Sequence, residues 1–383
     1  MRYSPPMRFF ATCAKGTEGA LRRELSALRL HGVTGGRGGV AFEGKLEAGM
    51  RACLWSRTAM RVLVQLASFP APDADALYRG ARSVDWTEWL TTRTTLAVDA
   101  TVSSSGITHS QFAALKVKDA VVDALREKLG SRPDVDPKDP DVRIVLHLAR
   151  DQAELALDLA GEPLHRRGYR AAMTEAPLKE TLAAAVLALG RVPLDRPFVD
   201  PMCGSGTLAI EQALAARCIA PGLVRPALGF QRWPSYRGAP QSAWDRMQEE
   251  ARAGSLPRAP APIVARDLHD KALEAARRNA SAAGVAADIV FESGDARDLQ
   301  PRWPEGTLCL NPPYGERLME RRRLQLQGLY RGLGEALRRH HGWHAVILSG
   351  SPLLEAALGM KPEISHRLWN GPIEARLLRY RIP

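Results

Sequence analysis

Beyond residue 196 the sequence alternates short apolar runs with longer amphipathic stretches, and this alternation restricts the fold more than any other feature. Pro197–Asp200, Ile263–Asp267, Asp288–Glu292, Thr307–Leu310 and His344–Leu348 read as strands. Thr207–Arg217, Asp270–Ala283 and a stretch near Leu324–Arg339 read as helices. Strand and helix taken in turn predict a parallel sheet covered by helices on both faces, since each parallel neighbour needs a crossover. The end departs from this pattern. Arg367–Trp369 and Ile373–Arg379 flank an Asn370-Gly371 turn, which predicts a terminal antiparallel hairpin. A Pro/Trp-rich insertion, with Trp233, Pro234 and Tyr236 near its centre, separates Arg217 from Ala261.

The residues ahead of this region read as two α+β units. In the first, Arg8–Thr12, Val40–Phe42 and Arg61–Ala67 are strands, and Thr17–Leu28 and Glu47–Trp55 are helices. Thr17 stands where a helix N-cap is expected, and Gly32–Gly39 reads as a turn. In the second, Asp73–Arg79 and Ala113–Leu129 are helices between strands at Thr95–Val102, Val142–Ala149 and Glu154–Leu159. Arg132–Asp141 holds three prolines and four aspartates and reads as a loop.

Composition narrows the class. The 383 residues are 45% hydrophobic and 25% charged, a globular profile that excludes disorder and collagen-like character. No apolar run approaches the roughly 18 residues of a membrane span. The amino terminus lacks the pattern of a secretory signal, so a cytoplasmic protein is expected. Five cysteines, none in a C-x-x-C pair, argue against a disulfide framework or a structural metal site. The net charge of +11 is uneven: residues 1–61 carry 11 Lys/Arg against 4 Asp/Glu. Such a surplus attracts polyanions irrespective of their sequence, and nucleic acid is a natural partner. Lys116 and Lys118 on the second unit's long helix, and Arg317, Arg321, Arg322 and Arg323 farther on, are the candidate backbone contacts.

The chemistry concentrates at strand ends. Asp200-Pro201-Met202-Cys203-Gly204-Ser205-Gly206-Thr207 links the first strand of the sheet to its helix. Its glycines permit a tight turn at the carboxyl edge of a parallel sheet, where ligands bind. The G-K-[ST] of a phosphate loop and the full G-x-G-x-x-G of dinucleotide enzymes are both missing. Asp267 ends the second strand, where a carboxylate can accept from ribose hydroxyls, and Asp295 follows the third, where it can accept from an adenine amine. The fourth strand runs into Asn311-Pro312-Pro313-Tyr314. Two prolines stiffen the chain and remove donors, leaving oxygen acceptors beside an aromatic face. That set suits a planar group bearing an amine.

In this order, the motifs resemble those of class I S-adenosylmethionine-dependent amino-methyltransferases. LYRGARSVDWTEWL (77–90), THSQFAALKVKDAVVDALREK (108–128), LDLAGEPLHRRGYR (157–170), APLKETLAAAVL (176–187) and NGPIEARLLRY (370–380) extend the likeness over nearly the whole chain. They resemble the bacterial THUMP-domain RNA guanine-N2 methyltransferases, in particular those acting on large-subunit (23S) ribosomal RNA. The resemblance implies a ferredoxin-like domain over residues 1–68, a THUMP RNA-binding domain over 69–165 and a Rossmann-like methyltransferase domain over 166–383. The last would contain a mostly parallel seven-stranded sheet ending in the hairpin. Longer relatives add a second methyltransferase; with the chain stopping after the hairpin, one is expected.

The resemblance also implies roles. Asp200, Pro201, Gly204, Gly206 and Thr207 would line the methionine part of S-adenosylmethionine, Asp267 its ribose, Asp295 and Ala296 its adenine, with Asn311 alongside. Lys179 and Glu180 would stand near the pocket. Asn311 and the Pro312 carbonyl would take the guanine N2 protons, Pro313 would stiffen the loop and Tyr314 would stack on an unpaired base. Asn-Pro-Pro-Tyr also occurs in adenine-N6 and glutamine-N5 enzymes, and the amino-terminal modules favour RNA over these. Transfer RNA is the alternative substrate, and a non-catalytic RNA-binding or assembly protein is the reading from outside enzymes.

Overall fold

The computed structural model describes residues 6–172, 178–313 and 320–383. The amino-terminal part comprises β1 (Met7–Thr12), α1 (Glu18–Ala27), β2 (His31–Gly36), β3 (Gly39–Gly44), α2 (Leu46–Trp55) and β4 (Arg61–Pro70). It continues with α3 (Ala74–Arg82), β5 (Thr95–Ser103), α4 (Ser110–Leu129), β6 (Asp134–Val135), β7 (Val142–Ala149) and β8 (Gln152–Asp158). All eight strands share one sheet, ordered β2-β3-β1-β4-β8-β7-β5-β6. The two α+β units are thus joined through β4, which pairs antiparallel with both β1 and β8 and runs past residue 68.

The glycines of Gly32–Gly39 form a strand rather than the turn expected. β2 is the outer strand of the sheet, paired only with β3, and its register slips between His31 and Thr34. Glycine tolerates such an irregular edge, and only Arg37-Gly38 turns, with Gly38 at φ +76°. Thr17 occupies the N-cap position without capping; its hydroxyl donates to the Ala14 carbonyl at 2.7 Å. Most of Arg132–Asp141 is loop, but Asp134–Val135 adds a short parallel edge beside β5.

The remaining elements are α5 (Glu180–Leu189), β9 (Phe198–Asp200), α6 (Thr207–Ala216), α7 (Ala239–Ala253), β10 (Ile263–Asp267), α8 (Asp270–Ala282) and β11 (Ile289–Ser293). Then follow β12 (Thr307–Leu310), α9 (Glu320–Arg338), β13 (His344–Ser349), α10 (Pro352–Leu358), β14 (Ile364–Asn370) and β15 (Ile373–Arg381). Their seven strands run β11-β10-β9-β12-β13-β15-β14, all in one direction except β15, which pairs antiparallel with both β13 and β14. Apolar side chains of α5, α6 and α8 form one core with the sheet, and those of α9 and α10 another. After β9 the chain moves out to β10 and β11, then returns to pair β12 on the other side of β9. That reversal opens a crevice at the carboxyl ends of β9 and β12, the usual place for a ligand in an open α/β sheet.

The Pro/Trp-rich insertion packs against the amino-terminal part. Phe230, Trp233, Tyr236 and Trp244 are buried with Trp89, Leu54 and the β8 region. Trp233 meets Trp89 edge to face at 5.4 Å, and the Phe230 amide donates to the Leu159 carbonyl at 3.0 Å. A second contact joins the two parts: the Trp369 amide donates to the Lys15 carbonyl at 3.0 Å while Lys15 Nζ sits 3.6 Å over the Trp369 ring. Among the described residues no helix is long and apolar enough to cross a membrane.

Candidate active site

The loop leaving β9 is held on all sides. Gly204 and Gly206 take left-handed φ of +53° and +83°, which turns the chain into α6 at once. The Gly206 amide closes the turn on the Cys203 carbonyl at 2.8 Å, and the Cys203 amide reaches the Arg266 carbonyl on β10 at 2.9 Å. A Cβ on Gly206 would lie 2.9 Å from Ala276 Cβ, so this glycine serves helix contact with α8. Buried Asn279 of α8 donates to the Ser205 and Ala172 carbonyls and accepts from the Ala172 amide.

Three acids stand at successive strand ends, each in a different state. Asp200 is 1% exposed and accepts from the Met202 amide at 3.2 Å. Burial, with the charge of Asp267 added, pushes its carboxyl up to about 8 against that bond. Half-buried Asp267 accepts from the Gly204 amide at 2.8 Å and the His269 amide at 3.0 Å. These bonds fix its plane and leave lone pairs over, since a carboxylate has about four acceptor sites. Asp295 caps the single turn Ala296–Asp298 and is gripped by Arg297, whose Nε lies 3.0 Å from both carboxylate oxygens. That guanidinium holds the Asp295 carboxyl below its ordinary range. The Arg297 side chain is 50% exposed, so it can swing into solvent and release the carboxylate.

β12 delivers Asn311, Pro312 and Pro313 to the other lip of the crevice, with Pro312 buried. Asn311 Oδ1 is buried and has no hydrogen-bond partner among the described residues. An oxygen shut from water without a donor is costly, by about 1–3 kcal/mol, unless a ligand supplies one. The Pro313 carbonyl is already taken, by the hydroxyl of Tyr330 at 2.7 Å. Tyr314 and Arg317 fall outside the described residues, as do the side chains of Arg321, Arg322 and Arg323. Pro201 and Ala296 lie at the loops after β9 and β11, as their strand positions require.

Several residues at the site carry no sequence motif of their own. Arg170 donates to the Ser205 and Thr207 hydroxyls at 3.2 and 3.3 Å and pairs with buried Glu180 at 2.9 Å. It anchors the glycine loop from a segment ahead of the sheet. Behind it, Arg167 and Glu211 are both buried, 3.5 Å apart, and Tyr169 donates to the same carboxylate oxygen at 3.1 Å. Lys179, by contrast, is exposed. On α4, Lys118 pairs with Asp119 at 2.5 Å, and Lys116 Nζ lies 5.4 Å from the Tyr78 ring centre. Both stand far along the chain from the crevice, on the amino-terminal sheet's helical layer.

Comparison with known proteins agrees with this architecture. Residues 167–378 match the family described as RMKL-like, methyltransferase domain. Residues 71–158 match the THUMP domain and residues 8–63 the RlmL ferredoxin-like domain. The "Ribosomal RNA large subunit methyltransferase K/L" of Syntrophotalea carbinolica is 48% identical over 98% of this chain and 54% of its own length. The chain therefore spans about half the length of the curated relatives it matches. The crystal structure of SMU.472 complexed with SAH superposes with a TM-score of 0.90 at 30% identity, covering 99% of both chains. An N6-adenine-specific DNA methylase, so named, from Listeria monocytogenes str. 4b F2365 gives 0.88 at 30% identity, covering 99% of this chain and 97% of its own. With its ferredoxin-like and THUMP domains ahead of a crevice built by β9 and β12, the chain belongs to the RMKL-like methyltransferase-domain family.

Proposed function

We propose that this chain uses S-adenosylmethionine to methylate the exocyclic N2 of a guanine in RNA, with 23S ribosomal RNA in the cytoplasm as its substrate. The observation that carries the reading is the buried, unpartnered Asn311 Oδ1 at the lip of the β9–β12 crevice. A polar atom in that state suits an incoming N–H, and the guanine amine has two. The relatives named for large-subunit ribosomal RNA support the substrate, and the THUMP domain supports RNA in general.

The residues present fit the cofactor. Asp200, the Gly204–Thr207 loop, Asp267 and the Asp295–Ala296 turn would hold it, with Asp295 exchanging Arg297 for the adenine amine. When bound, S-adenosylmethionine supplies an electrophilic methyl on a sulfonium. A guanine N2 lone pair is delocalised into the ring and nucleophilically weak. Asn311 Oδ1 and the Pro312 carbonyl accept hydrogen bonds from the amine N–H groups and so favour a pyramidal nitrogen, and the proton that N2 sheds once methylated passes to water. The prolines hold these oxygens in place before the substrate arrives, so catalysis rests on position and fixed dipoles. The base must leave any helix to reach the crevice. Lys116, Lys118 and the Arg317–Arg323 run would hold flanking phosphates, and Tyr314 would stack on the base.

The test is incubation with 23S ribosomal RNA from a strain lacking the gene, followed by nucleoside mass spectrometry. N2-methylguanosine is the expected product. N6-methyladenosine would favour the chemistry for which the Listeria protein is named, and cofactor binding without any product would favour a non-catalytic RNA-binding protein. Methylation of transfer RNA in place of ribosomal RNA would move the substrate to the alternative.

A further inference from the structure

The two prolines that make the acceptor loop stiff also leave its middle without amides to tie it down. Pro312 and Pro313 donate nothing, so these two residues can be held by hydrogen bonds only through their carbonyls. One such anchor is present: the Tyr330 hydroxyl on the Pro313 carbonyl at 2.7 Å. Tyr330 is fully buried in the core that α9 shares with β12 and β13, so its ring cannot drift. α9 is fixed in turn to the cofactor side of the crevice. Two residues beyond Tyr330, Gly332 gives way to the Arg297 stem; a Cβ there would lie 2.6 Å from Arg297 Cδ. Arg339, just past the helix, reaches the Arg297 and Leu299 carbonyls.

We propose that Tyr330 is a positioning residue for methyl transfer: its hydroxyl occupies the Pro313 carbonyl and so aims Asn311 Oδ1 and the Pro312 carbonyl into the crevice. The proposal rests on the function proposed above. It assigns Tyr330 no contact with base or cofactor. By sitting on the helix that also seats Arg297, Tyr330 holds the amine acceptors in register with the Asp295 turn.

The test compares wild type with Tyr330→Phe, which keeps the buried ring and deletes only the hydroxyl. Three readouts are taken: kcat and KM on the RNA substrate, cofactor affinity by calorimetry, and crystal structures of both proteins with S-adenosylhomocysteine. A misplacement of about 1 Å costs about a hundredfold in rate. The expected result is a kcat loss between about tenfold and a hundredfold, cofactor affinity and RNA KM unchanged, and residues 311–313 displaced. A merely structural role would lower thermal stability and cofactor affinity together. Unchanged kcat with residues 311–313 superposing on wild type would overturn the proposal. Should the wild type make no N2-methylguanosine, the functional reading fails, and the loop position in the two crystals still decides what Tyr330 does.

Discussion

The Gly204 amide donates to Asp267 Oδ2 at 2.8 Å, which makes the loop leaving β9 and the acid ending β10 one mechanical piece. Asp267 also takes the His269 amide, so the carboxylate organises both strand ends before any ligand binds. Replacing it with alanine removes an acceptor from two amides and, on the proposed function, a contact from the ribose. A hydrogen bond to a charged group is worth about 1.5–3 kcal/mol, so Asp267→Ala should weaken S-adenosylmethionine binding by about tenfold or more. Calorimetry checks this, and wild-type affinity would remove Asp267 from the site.

Gly206 answers to two constraints at once. Its φ of +83° costs a non-glycine residue about 1–2 kcal/mol. A methyl group would also press on Ala276 at 2.9 Å, and overpacking of this kind costs about 1–3 kcal/mol. Gly206→Ala should therefore lower stability by a few kcal/mol in chemical denaturation, and a variant unfolding like wild type would show that the loop has room.

Asp200 should leave a pH signature. Its carboxyl, pushed up to about 8 mainly by burial, keeps a proton in the folded state that the unfolded chain gives up in the ordinary carboxylate range. The folded state binds more protons across that interval, so stability falls as pH rises from about 4 through about 8. Asp200→Asn cannot ionise and should gain on wild type in melting temperature as pH rises through that window. A difference that stays constant with pH would contradict the assignment.

The pair formed by Arg167 and Glu211 lies between the two sheets, where Arg167 also donates to the Leu164 and Arg57 carbonyls. Removing one partner of a buried ion pair strands the other, at a cost of about 3–5 kcal/mol. Glu211→Ala should show a loss of that order in denaturant unfolding; a loss below about 1 kcal/mol would mean that water reaches Arg167.

What the sequence disclosed follows from distance along the chain. β9, β12 and the start of β10 are short apolar runs because they lie buried under helices, and β9 through β12 lead into residues whose chemistry is local: Asp200 through Thr207, Asp267, Asp295, Asn311 through Pro313. Such signals are readable in place. Arg170, Asn279 and Tyr330 were not, because each acts on a loop far from it in sequence and has the composition of an ordinary surface or core residue. For Tyr330 a signal existed, an aromatic at a core-facing position in an otherwise Arg-rich helix. The insertion around Trp233 was visible as a composition change, but its packing partner, Trp89, lies in another domain. The grip of Arg297 on Asp295 was hidden for the opposite reason: a residue two positions away has many partners to choose from, and only the fold selects one.

Single-turnover methyl transfer by Asn311→Ala tests the account at its centre. With enzyme and cofactor in excess over RNA, the rate of N2-methylguanosine formation is followed beside calorimetry of cofactor binding. The account predicts a rate lower by about a hundredfold or more, the scale for losing a fixed polar group at a transition state, with cofactor affinity unchanged. A variant that transfers the methyl group as fast as wild type would contradict it.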